Sequence, residues 1–141
     1  MTQLSQVMTP GATILRTHET VRHAAEMMAD LDIGELPVCD GRRLVGVITD
    51  RDITVRCTAR GVSPDNARVG DAMTERVLWC YQDDSVENAK AKMADEQVRR
   101  LMVLDRDKQL VGVVSLGDLA VKAGDTGSTL ASVSSPAQPA R

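Results

Sequence analysis

Leu44-Val45-Gly46-Val47-Ile48-Thr49-Asp50-Arg51-Asp52-Ile53 begins as an apolar, β-prone run and turns polar at Thr49. Thr49 or Asp50 suits a helix N-cap, because a short side-chain oxygen accepts from the unpaired amides of a first helical turn. The reading is strand, tight corner, helix. Such a corner is expected to present free backbone N–H groups and the positive end of a helix dipole, a seat for phosphate. Thr49 brings a hydroxyl to it, and Asp52, about one helical turn on, brings a carboxylate. Phosphate takes donors, and a ribose diol takes an acceptor for its O–H groups. Residues of these types at this spacing point to a nucleotide.

The pattern occurs twice. Leu110-Val111-Gly112-Val113-Val114-Ser115-Leu116-Gly117-Asp118-Leu119 repeats the strand, the glycine, the hydroxyl and, three residues later, the carboxylate. An internal repeat constrains a fold more than any single motif. Further out, Met73-Thr74 follows Met8-Thr9 by 65 residues, and Leu101-Met102-Val103-Leu104 follows Leu36-Pro37-Val38-Cys39 by the same 65. From Leu110 the offset is 66, because Asp105-Arg106-Asp107-Lys108-Gln109 is one residue longer than its counterpart around the Asp40-Gly41 turn. An insertion confined to a hairpin turn is what a genuine repeat shows.

Between these anchors, Thr13-Ile14-Leu15 reads as a short strand. Thr20 reads as an N-cap, and Val21, Ala24, Ala25, Met28 and Ala29 form one apolar helical stripe after it. Gly34 is expected to end that helix or its trailing turn. Leu36 to Cys39 is a strand, with Pro37 at a position that needs no ladder N–H. Asp50 to about Ala59 is the second helix. In the second half, Leu78-Trp79-Cys80-Tyr81 is the strand and Ser85 caps a helix with the stripe Val86, Ala89 and Met93. Each half is thus strand–helix–strand–strand–helix, roughly fifty residues and small for an independent core. The expected organisation is a first repeat at 5–60, a turn-rich linker at 61–68, a second repeat at 69–123 and a tail at 124–141. The tail's Gly, Ser, Thr, Ala and Pro content cannot bury enough apolar surface to stay ordered. The fold class is α/β (α+β), the two β-α-β-β-α repeats packed sheet to sheet in pseudo-twofold symmetry.

Composition narrows the function. Hydrophobic residues make up 43%, yet Phe is absent and Trp and Tyr occur once each, so the core must be aliphatic. A net charge of −3 argues against a nucleic-acid or acidic-membrane partner. No apolar run approaches the ~20 residues of a membrane span, and the N-terminus lacks a signal-peptide apolar region. Cys39, Cys57 and Cys80 match no zinc spacing and read as small core residues. Reduced thiols in a cytoplasm are the simplest reading, with one intermolecular disulfide left open. His18 and His23, five residues apart around a helix start, do not share a face as metal ligands would. With no metal cluster, catalytic triad or buried acid–base couple in view, no enzyme is expected.

Two β-α-β-β-α repeats, each closing Gly-hydrophobic-hydrophobic-Thr/Ser-x-x-Asp, resemble a tandem pair of CBS domains, a Bateman module. The markers are Met8-Thr9 with Met73-Thr74, Leu36-Pro37-Val38, Val98-Arg99-Arg100-Leu101-Met102-Val103, and the two strand–hydroxyl–carboxylate corners. The resemblance covers about residues 5–123, as in stand-alone bacterial CBS-pair proteins. It implies an adenosine-containing ligand in the cleft between the repeats: AMP, ADP or ATP first, S-adenosylmethionine or a dinucleotide behind them, with no cofactor required. It implies that Thr49 and Ser115 contact phosphate and that Asp52 and Asp118 take ribose hydroxyls. Thr13, Ile14, Leu36 and Pro37 match the positions that frame the base in the first half, and Trp79, Leu101 and Met102 those in the second. Arg100 matches a basic residue that reaches phosphate. It also implies a homodimer through the CBS helices and an effector protein of unknown identity.

Three departures from the family pattern make the two sites unequal. Met102 replaces the usual proline, Trp79 is bulky where a small residue is common, and Glu35 stands where Arg100 stands in the other repeat. Trp79 either stacks on adenine or fills the pocket. Arg51 is either a solvated charge or a phosphate contact. Asp52 and Asp118 are either ribose clamps or ordinary first-turn carboxylates. The expected function is a non-enzymatic, cytoplasmic ligand sensor. The alternative is a ligand-free structural or stress-associated dimer in which the corners survive as helix caps.

Overall fold

The computed structural model describes residues 2–122; the tail read from Gly124 onward lies outside the described residues. After a 3-10 turn at Leu4–Gln6 come β1 (Thr9–Pro10), β2 (Leu15–Arg16), α1 (Val21–Leu31), β3 (Glu35–Asp40) and β4 (Arg43–Thr49). Then follow α2 (Asp50–Ile53), which runs on as a π turn over Thr54–Thr58, α3 (Val69–Ala72), β5 (Trp79–Tyr81) and α4 (Val86–Glu96). The described chain closes with β6 (Arg100–Leu104), β7 (Leu110–Ser115) and α5 (Leu116–Lys122). The mixed α/β class and the duplicated strand–helix–strand–strand–helix order are as read from the sequence. Among the described residues no helix is long and apolar enough to cross a membrane.

Two compact units result among the described residues: Thr13–Val77, and residues 2–12 together with 78–122. In the first unit the sheet order is β2-β3-β4, parallel then antiparallel. Leu36, Val38 and Ile48 point from this sheet into a core shared with Leu15, Val21, Ala24, Cys57, Val69 and Ala72. Thr20 caps α1 as expected, its hydroxyl accepting from the His23 amide at 3.1 Å. The amides of Val21 and Arg22 reach the carbonyls of Ala67 (2.9 Å) and Pro64 (3.1 Å). The turn-rich segment after Ala59 therefore completes the N-terminus of α1.

Two details of α1 differ from the reading. Val21, Ala24 and Met28 are buried, but Ala25 and Ala29 are exposed. Alanine's helix propensity suits any face of a helix, so it says little about which one is buried. The helix also ends at Asp32, in the left-handed region at φ 53°, before Gly34 is reached. Gln97 ends α4 in the same way at φ 55°, so this stop is part of the repeat although neither residue is glycine.

The second unit has the sheet order β1-β7-β6-β5. Its α4 carries the expected stripe: Val86, Ala89 and Met93 are buried with Leu101, Val103, Val114 and Leu119. Leu4 and Val7 belong to this same core. The Met8-Thr9 lead-in thus packs on β7, with Thr9 opposite Val113 and Pro10 opposite Gly112. Met73-Thr74 packs on β4, where Thr74 and Val47 exchange both backbone bonds at 2.7 and 2.9 Å. Each lead-in segment lies against the closing strand of the other sequence repeat.

That exchange explains the repeated glycine. A Cβ on Gly112 would stand 2.6 Å from the Thr9 carbonyl oxygen, and one on Gly46 2.8 Å from that of Thr74.

Candidate functional site

Each closing strand delivers its hydroxyl residue to a helix start. Thr49 is the N-cap of α2 and forms a reciprocal pair with Asp52. Its Oγ1 accepts from the Asp52 amide at 3.0 Å, while Asp52 Oδ2 accepts from the Thr49 amide at 3.0 Å. Ser115 and Asp118 repeat this: Ser115 Oγ accepts from the Asp118 amide at 3.0 Å, and Asp118 Oδ2 accepts from the Ser115 amide at 2.9 Å. Both carboxylates are partly buried and held in place. Each is also a complete helix cap.

The first-turn amides of α2 are not free, contrary to the sequence reading. Asp50 N–H donates to the Gly34 carbonyl at 3.0 Å. Arg51 N–H donates to Asp50 Oδ1 at 2.8 Å, and Asp52 N–H to Thr49 Oγ1. A short acidic side chain at the first helical position has taken a donor that a phosphate would need. In the other corner Leu116 and Gly117 occupy the places of Asp50 and Arg51. No carboxylate stands at the first position, and the Leu116 amide, like that of Asp50, donates across the strand ends, to the Arg99 carbonyl at 2.8 Å.

Register across the sheet adds opposite charges. Arg100 lies directly opposite Ser115, and Glu35 lies directly opposite Thr49. The Thr49 corner therefore carries Glu35, Asp50 and Asp52 with the exposed Arg51, whereas the Ser115 corner carries Asp118 with the exposed Arg100 across the sheet. The Ser115 corner thus has fewer carboxylates near it to oppose a phosphate.

The remaining candidates divide. Arg51 is exposed next to its corner. Leu36 and Leu101 are sealed in the two cores, leaving only their backbone to meet a ligand. Pro37 and Met102 are buried on the opposite faces of their strands. Ile14 is half-buried just ahead of β2. Trp79 is half-buried, edge-on to Tyr81 with ring centroids 4.9 Å apart. The Lys92 and Lys108 ammonium groups lie 5.6 and 5.9 Å from its ring centre. Lys92 also donates to the Trp79 carbonyl at 2.6 Å, and Asp84 accepts from the Tyr81 amide at 2.9 Å, so side chains close the outer edge of β5.

Sequence reasoning missed one member of the first corner. Thr74 Oγ1 sits 3.1 Å from Asp52 Oδ1 and 3.2 Å from Oδ2, donating its hydroxyl proton to the carboxylate. The available signal was the pairing of a repeated Met-Thr with a repeated strand glycine, which together mark a close approach.

Cys39, Cys57 and Cys80 are buried free thiols. Burial pushes all three up from the usual thiol range, against a smaller downward pull from Arg16, Arg60 and Lys92 respectively. Burial thus favours the protonated thiol over the reactive thiolate in each. Among the described residues, no group of three or more His, Cys, Asp or Glu side chains could hold a metal ion.

Comparison with known proteins agrees with this architecture. The family model of the CBS domain matches residues 4–57 and 69–123. Hypoxic response protein 1 of Mycobacterium tuberculosis (strain H37Rv) is 36% identical over 121 residues, covering 85% of this chain and 84% of that protein. A crystal structure of Hypoxic Response Protein I with two coordinated zinc ions superposes with a TM-score of 0.75, over 85% of this chain and 98% of the other. A structure of CBSX2 in complex with AMP, 27% identical, gives a TM-score of 0.73 over 86% of this chain and 95% of the other.

Proposed function

We propose, from the premise that this chain belongs to the CBS-domain family as a tandem pair, that it is a non-enzymatic sensor binding an adenosine-containing ligand of the AMP, ADP or ATP class. The observation that carries the reading is the Ser115–Asp118 pair with Arg100 directly across the sheet. Asp118 offers an acceptor for a ribose diol. Ser115 and Arg100 offer donors for a phosphate. The AMP-bound CBS relative supports this ligand class. The Thr49 corner has the same ribose acceptor in Asp52, but Asp50 Oδ1 already takes the Arg51 amide, which suits adenosine itself or an adenosine ligand without a phosphate tail.

A ligand changes such a module only by its differential affinity for two arrangements. A homodimer through the helices would give those arrangements a readout. Leu31 at 47% exposure and Val55 at 46% are apolar side chains at helical positions that such a contact would cover. The three unpaired thiols fit a reducing cytoplasm.

Calorimetric titration with AMP, ATP and S-adenosylmethionine tests the reading. AMP or ATP is expected to bind with Kd on the order of micromolar, about −8 kcal/mol. Asp118→Ala is expected to weaken binding roughly 10- to 150-fold, the worth of a hydrogen bond to a charged group. Arg100→Gln should weaken AMP and leave adenosine unchanged. Absence of binding up to millimolar would overturn the sensor reading. The ligand-free dimer would then stand, since both corners are already complete caps.

A further inference from the structure

We infer that the Thr74 hydroxyl is a positioning group for the Asp52 carboxylate, and that it couples ligand occupancy at Asp52 to the chain segment leaving the first unit. The inference rests on the ribose-acceptor reading of Asp52 given above. Three facts carry it. Thr74 Oγ1 lies within 3.2 Å of both carboxylate oxygens, from a residue 22 positions away in sequence. The same residue is joined to β4 through Val47 by a two-way backbone pair at 2.7 and 2.9 Å. Three residues further on, Val77 ends the Thr13–Val77 unit.

The carboxylate's remaining capacity decides the sign of the coupling. Oδ2 already accepts the Thr49 amide at 3.0 Å, and one hydroxyl proton from Thr74 is shared between the two oxygens. A carboxylate offers about four acceptor sites. Oδ1 therefore keeps room for a ribose O–H without expelling Thr74. Occupancy and the Thr74 tie then reinforce each other, because a ligand oxygen on Oδ1 fixes the rotamer that Thr74 needs, and Thr74 fixes the rotamer that the ligand needs. Linkage makes the effect reciprocal: whatever Thr74 adds to ligand affinity, the ligand adds to the hold on Thr74. Arg56, in the π turn that follows α2, donates to the carbonyls of Ala72 and Met73 and so tethers the same segment.

Amide hydrogen exchange at Val47, whose N–H donates to the Thr74 carbonyl, reads this tie directly. It would be measured in full-length wild type, Thr74→Val and Thr74→Ser, each with and without adenosine, alongside calorimetry with adenosine. Thr74→Val keeps the branched shape and loses the hydroxyl; Thr74→Ser keeps the hydroxyl. Without adenosine, Thr74→Val should raise exchange at Val47 about tenfold or more, and Thr74→Ser should restore it. Adenosine should slow Val47 exchange in wild type and Thr74→Ser but not in Thr74→Val, which should also bind adenosine about tenfold more weakly. Equal exchange in unliganded wild type and Thr74→Val would overturn the tie. Equal adenosine affinity in the two would overturn the coupling with the tie intact. Adenosine producing no heat in any of them would overturn the ligand reading of Asp52 and the coupling with it, whereas an unliganded exchange difference would then leave a purely structural hydrogen bond.

Discussion

Gly46 and Gly112 show how one residue type is fixed by a neighbour far away in sequence. Each sits where a lead-in segment crosses its strand, and the atom a Cβ would meet first is a backbone oxygen, which cannot swing aside as a side chain would. The methionine of each lead-in adds a second obstacle, with Met8 Sδ 2.8 Å from where a Cβ on Gly112 would stand and Met73 Sδ 2.9 Å from where one on Gly46 would. Gly112→Ala is expected to cost about 1–3 kcal/mol, the range for overpacking a tight contact. The measurement is the urea midpoint against wild type. Gly61 is a useful contrast: a Cβ there meets nothing within 4 Å, but its φ of +71° makes any side chain strained. An unchanged midpoint for Gly112→Ala would mean that the Met8-Thr9 strap is not seated on β7.

At the scale of elements, the repeat was legible because strands, caps and turns leave local signals. Thr20 and Ser85 cap the helices assigned to them, and the Val86, Ala89, Met93 stripe is buried as read. What was not legible had non-local causes. Alanine at 25 and 29 carries little directional information. The helix stops at Asp32 and Gln97 are left-handed without the glycine that would announce them. The amides of α2 were filled by Asp50 and by Gly34, across the strand ends.

The unequal first strands of the two sheets also have a single cause. Met102 N–H donates to the Leu78 carbonyl at 3.2 Å, and β5 accordingly begins its pairing at Trp79 opposite Met102. Pro37 holds the place of Met102 and has no N–H to give. Pairing of β2 with β3 starts one residue later, at Leu15 opposite Val38. Met102→Pro should therefore shorten β5 to the length of β2 and cost about 1–3 kcal/mol through the lost bond and the unpaired carbonyl. Loss of amide protection confined to the start of β5 would confirm it, and a melting temperature equal to wild type would refute it.

For the whole molecule, the period of the sequence and the compact units of the fold do not begin at the same residue. By sequence, Met8-Thr9 heads the first repeat and Met73-Thr74 the second. In the fold, Leu4 and Val7 are buried in the core of the Leu78-containing unit, and Val69 and Ala72 in the core of the Thr13–Val77 unit. A fragment cut along the sequence period, residues 1–68, would keep Leu4 and Val7 without their core and lose Val69, Ala72 and the Thr74 strap. Burying one valine alone is worth about 1.5–3 kcal/mol, a large share of what a unit of this size has to spare. The fragment 13–77 retains Val69, Ala72 and the Thr74 strap with the core they complete. It is expected to melt cooperatively by circular dichroism, at a temperature below that of the full chain, while 1–68 shows no cooperative transition. If 1–68 melts as high as 13–77, the exchanged lead-in segments contribute little, and the sequence repeat is itself the folding unit. If 13–77 shows no transition, the first unit requires the rest of the chain, and the tie at Thr74 would have to act within a single cooperative molecule.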